Sequence, residues 1–94
     1  MDASLFRATT GQPAPPDGLN PILLALWWEA KGDWARAHEY AQNETTASGA
    51  AVHAYLHRVE GDLANARYWY QRAGRSPESG VLGHEWAALV QEFS

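Results

Sequence analysis

The sequence predicts an all-α fold made of two antiparallel helical hairpins and a C-terminal capping helix. Three observations carry that expectation. Apolar residues recur at helical spacing through most of the chain, and no stretch has a period of two. Glycine followed by aspartate punctuates the pattern twice, as a helix stop and then the next helix's cap. The segments around those two punctuations also match one another at a fixed offset of 29 residues.

Residues 1–18 hold Gly11, Pro13, Pro15, Pro16 and Gly18 and no sustained period, so they read as an irregular arm, with residues 19–94 as the helical domain. Leu5 and Phe6 are the arm's candidates for packing on that domain. Order starts at Asn20-Pro21, because Asn caps well and Pro suits a first turn, where its missing N–H costs nothing. This first helix runs to about Lys31 and stops at Gly32. Asp33 caps the second, which sends Trp34, Ala37 and Ala41 inward and fades near Thr45. Residues 46–49 read as a short polar break. A third helix over about 50–60 places Val52, Tyr55, Leu56 and Val59 at i, i+3, i+4 and i+7. Gly61 ends it and Asp62 caps a fourth, with Leu63, Ala66, Tyr70 and Ala73 inward and Trp69 on the border. Gly74 stops that helix. Ser76-Pro77-Glu78 is a further start signal, but Gly80 and Gly83 delay regular helix to about residue 81. Leu82, Trp86, Leu89 and Phe93 then form the final stripe.

The repeat pairs Gly32-Asp33-Trp34-Ala35-Arg36-Ala37 with Gly61-Asp62-Leu63-Ala64-Asn65-Ala66. Gly, Asp and two Ala coincide, and Trp faces Leu at the large apolar position. In a hairpin the glycine ends one helix, the aspartate caps the next, and alanine lets the two approach closely. The Gly-Asp-large-x-x-Ala turn, with Asn65 to Gly74 after it, resembles the tetratricopeptide and Sel1-like helical repeats over about residues 19–74. That resemblance implies a non-catalytic module binding a protein or peptide through a groove lined by the first helix of each hairpin. Two hairpins are fewer than the ~3 units such arrays usually need, so the last helix is expected to cap the stack with Trp86 and Phe93.

Composition narrows the function classes. Five Trp, four Tyr and two Phe supply bulk for a small core. The absence of cysteine excludes disulfides, thiolate ligands and a thiol nucleophile. A formal charge of −4 with scattered basic residues argues against nucleic-acid binding. The apolar run Ile22 to Trp28 is too short to cross a membrane. The Met-Asp-Ala-Ser start lacks the basic and apolar regions of a signal peptide, so a cytoplasmic location is expected. Glycines sit singly at turns, no serine stands in a nucleophile elbow, and His84-Glu85 lacks the second histidine of a metalloprotease helix, with Ala88 in its place. The expectation is a chain that is not an enzyme and uses no cofactor.

Two constellations remain. The offset aligns Leu24 and Trp28 with His53 and His57, and Lys31 with Glu60, so Leu24, Trp28, Lys31, His53, His57 and Glu60 are the candidate partner-binding set. The plainer reading makes Trp27 and Trp28 core and the two histidines helix-surface residues. The rival functional reading is metal: His53-x3-His57-x2-Glu60 puts two imidazoles and a carboxylate on one helical face, with His38 or His84 available as a further ligand. A third reading is a homo-oligomer using outward aromatics such as Tyr68, four residues before Arg72, or Trp28.

Overall fold

Helix boundaries fall where the capping chemistry puts them. In the computed structural model, which describes residues 1–94, the Asn20 side-chain oxygen accepts from the Leu23 N–H at 2.9 Å and opens α2, Pro21–Lys31. Asp33 does the same for α3, Trp34–Gln42, and Asp62 for α5, Leu63–Ala73. Gly32, Gly61 and Gly74 have φ of 97°, 88° and 73°, a region that side chains rarely tolerate. Each closes the same ending: Asp33, Asp62 and Arg75 N–H groups donate back to Trp28, His57 and Tyr70 carbonyls.

The fold is all-α, with no strand. The supposed polar break at 46–49 is instead the start of α4, Ala47–Glu60, since the Thr46 hydroxyl accepts from the Gly49 N–H at 3.1 Å. Gly49 sits where the preceding turn crosses the helix, and a methyl group there would collide with the Glu44 carbonyl oxygen. Gly49→Ala is therefore expected to cost about 1–3 kcal/mol, read from urea unfolding, because backbone must move.

The arm is not irregular throughout. Asp2 caps a short helix α1, Ala3–Ala8, and a 3-10 turn follows at Thr9–Gly11. Phe6 is buried and stacks on Trp86 at 5.9 Å, while Leu5 stays in solvent. The Trp27 indole N–H donates to the Thr9 hydroxyl at 3.0 Å, and Lys31 donates to the Thr10 and Gln12 carbonyls. The boundary at residue 18 thus does not separate an arm from a core: residues of α1 share the core of the rest.

Consecutive helices α2 and α3, and α4 and α5, pack against each other, and α3 packs on α4. The last helix α6, Leu82–Phe93, departs from the expected stacking order. It lies on α1, α2 and α4, with the Trp86 indole N–H donating to the Leu26 carbonyl at 2.9 Å. Glu85 anchors it, accepting from Arg58 of α4 at 2.7 Å and from the Tyr70 hydroxyl of α5 at 2.6 Å. Burial and that carboxylate hold the Tyr70 hydroxyl above its ordinary range. Because α6 folds back here, Leu63 is 56% exposed rather than inward, whereas Trp34, its counterpart in the first hairpin, is covered and donates to the Leu56 carbonyl of α4. Helices α2, α3, α5 and α6 all pack on α4, and nine consecutive residues of it, Gly49 to His57, are buried.

Candidate metal centre

His53 and His57 lie one turn apart on α4 and are only 4% and 6% exposed, so they are not surface histidines. Helix α3 brings a third imidazole between them. His38 Nε2 stands 2.9 Å from His53 Nε2, and its ring centroid is 5.3 Å from that of His57. One ring nitrogen from each histidine lies within 4.8 Å of the other two. Two indoles wall the trio. Trp34 stacks on His38 with centroids 4.8 Å apart, and Trp69 of α5 stacks on His53 at 3.8 Å.

Glu60 stands behind His57 rather than beside the other imidazoles. Its carboxylate accepts from His57 Nδ1 at 2.6 Å. That bond fixes the tautomer and leaves the Nε2 lone pair of His57 for a ligand on the ring's far side. Nδ1 and Nε2 point away from each other, so a carboxylate held on one cannot join a metal held on the other. Of the expected set His53, His57 and Glu60, the two imidazoles converge with His38, and Glu60 takes the orienting position behind them. His84 lies exposed in the first turn of α6 and is not part of the cluster.

The electrostatics favour the neutral form at His38 and His53. Burial lowers the His38 pKa, and His57 lowers it further against an opposing pull from Glu60. Burial, with His38 and His57 adding to it, pushes His53 from its ordinary 6.5 down to about 4. Neutral nitrogen is the form that binds metal. Two imidazole nitrogens on a tetrahedral zinc lie about 3.3 Å apart, given Zn–N bonds of ~2.0–2.1 Å. The 2.9 Å pair needs to open by a few tenths of an ångström, and the third nitrogen to swing in by side-chain rotation.

These shifts set the acid stability of the metal-free protein. Unfolding returns the His53 pKa from about 4 to 6.5, so between those values the unfolded chain takes up a proton that the folded chain refuses. Stability is fully present above pH 6.5 and falls as pH drops through that window, by on the order of 2 kcal/mol, with His38 acting in the same direction. Urea midpoints measured across that range for wild type and His53→Gln check this: the slope should flatten in the variant.

The other expected binding residues lie on α2, and neither of the indoles that wall the trio is Trp28. Leu24 is half-buried in α2, and Lys31 is engaged by the Thr10 and Gln12 carbonyls. Trp28 packs edge-on to Trp27, carries the Arg36 guanidinium 4.3 Å above its ring, and keeps a buried indole N–H without an acceptor. No family model matches the chain, and comparison with curated proteins and with solved structures returns no match.

Proposed function

We propose that the chain is a metal-binding helical protein whose ligands are His38, His53 and His57, with Glu60 as the carboxylate that orients His57. One observation carries the reading: three imidazoles from two helices, two of them buried, converge to within 4.8 Å. A carboxylate–histidine pair behind one ligand is the usual outer support of a bound ion. An all-nitrogen donor set suits a divalent first-row ion, zinc foremost, and three protein ligands leave a fourth position for a further group.

Calorimetric titration of zinc into the EDTA-stripped protein tests this. Wild type and His84→Ala are expected to bind at a single site, His38→Ala to lose it, and Glu60→Gln to bind about 10–100-fold more weakly. Equal zinc affinity in wild type and His38→Ala would reduce the trio to a hydrogen-bonded stack in the core.

A second reading, a protein-interaction module of tetratricopeptide-like hairpins, is favoured by the exposed Leu63. In the first hairpin the equivalent Trp34 is covered by the following helix, so the Leu63 face is where a further helix would stack. Helix α6 packs on α2 and α4, the two helices expected to line the groove. Light scattering over a wide concentration range, with Leu63→Asp as control, checks self-association through this face; a concentration-independent monomer removes the homo-oligomer.

A further inference from the structure

The trio offers three nitrogens and no carboxylate. His38, His53 and His57 converge, while Glu60 and Asp62 gather on the Nδ1 side of His57, where Glu60 is hydrogen-bonded and Asp62 caps α5. The cavity of about 140 Å³ beside the cluster is lined by His53 but by neither His38 nor His57. We infer that the ion this trio prefers is copper(I), held by three imidazoles with no fourth ligand; the inference rests on the metal reading above and names its ion.

Coordination number is the first argument. Zinc is almost always four-coordinate, so zinc in the trio has to bring a further group from solvent. Copper accepts imidazole donors, and in its monovalent state two or three of them satisfy it. The surroundings favour the smaller number. His53 and His57 are buried, Trp34 stacks on His38 and Trp69 stacks on His53. The second argument is charge. The cost of taking an ion out of water rises with the square of its charge, so a dication costs about four times what a monocation of similar size does. Ligand imidazoles are neutral, and Glu60 is the one carboxylate hydrogen-bonded to them. A monocation and that carboxylate cancel; a dication leaves a positive charge over between the indoles. The third argument is the absence of a rival donor. The chain has no cysteine, and its single methionine is Met1, exposed at the start of the chain.

Competition with bicinchoninate, which turns purple on binding copper(I), tests this under anaerobic conditions with ascorbate as reductant. Wild type is expected to bleach the purple complex at one ion per chain and to keep the ion when excess zinc is added. His38→Ala should lose that capacity, and Glu60→Gln should hold copper(I) about 10–100-fold more weakly. X-ray absorption at the copper edge of the wild-type protein, which needs no variant to fold, should show three nitrogen neighbours and no sulfur. A wild-type protein that takes up neither zinc nor copper(I) would sink the metal reading, and this inference with it. Zinc binding without withdrawal of copper(I), release of copper(I) to excess zinc, equal copper(I) binding in folded His38→Ala, or a four-coordinate edge would overturn the copper(I) assignment alone.

Discussion

Zinc at a hundredfold excess over its dissociation constant is expected to raise the thermal midpoint of the stripped protein by about 10–20 °C. The size follows from mass action. An ion that binds only the folded state adds ~2.7 kcal/mol at that excess. In a domain of this length each kcal/mol moves the midpoint by roughly 4–8 °C. The ligands support the premise that the unfolded chain binds poorly, because His38 comes from a different helix than His53 and His57 and joins them only through the packing of α3 on α4. His57→Ala lowers the starting midpoint by removing a buried side chain, so the shift on adding zinc is the informative quantity. That shift should vanish in His57→Ala and persist in His84→Ala. An equal shift in both variants would assign the stabilisation to surface sites.

The cluster was half legible in the sequence. The spacing of His53, His57 and Glu60 places them on one face of a helix, and the local bond from His57 to Glu60 follows from that spacing alone. His38 was harder to place. Taking Trp34, Ala37 and Ala41 as the inward face of the second helix left His38 outside it. Trp34, His38 and Ala41 sit at i, i+4 and i+7 as well, and that face meets α4. Arg72 stands four residues after Tyr68, and the hydrogen bond that this spacing allows is present. The stacking of Trp69 on His53 depends on how α5 packs, which no local pattern encodes.

The fold divides in the same way. Caps and stops were readable because each is a contact between residues at most a few positions apart, as at Asn20, Asp33, Gly61 and Asp62. The polar break at 46–49 misled because Thr, Ser and Gly mark a turn as readily as the capped first turn of a helix. The arm misled through its prolines: they lie after residue 12, and the six residues before the 3-10 turn form a helix capped by Asp2. The placement of α6 is a tertiary choice. A third hairpin would cover Leu63, but one amphipathic helix gains more by laying Trp86 between α1 and α2, where its whole ring is buried and its N–H finds a carbonyl.

That choice makes Trp86→Ala the substitution expected to cost the most, about 3–5 kcal/mol in urea unfolding. Trp86 is 2% exposed, stacks on Phe6, lies under the Arg7 guanidinium, and ties α6 to the Leu26 carbonyl. Its removal leaves a cavity at the junction of three helices and unpins α1, whose Phe6 loses its partner. A chain of this length is stabilised by roughly 5–14 kcal/mol in all, at ~0.05–0.15 kcal/mol per residue, so the variant should be partly unfolded near physiological temperature. Trp86→Phe keeps most of the apolar contact and loses the indole hydrogen bond, with an expected cost of about 1–2 kcal/mol. Neither change touches the histidines, so the folded fraction of both variants should bind zinc as wild type does, and excess zinc should restore the lost fold by mass action. A loss under about 1 kcal/mol in Trp86→Ala would mean that α6 does not complete the core. A well-folded Trp86→Ala that no longer bound zinc would mean that α6, rather than the α3–α4 packing, holds the three imidazoles together.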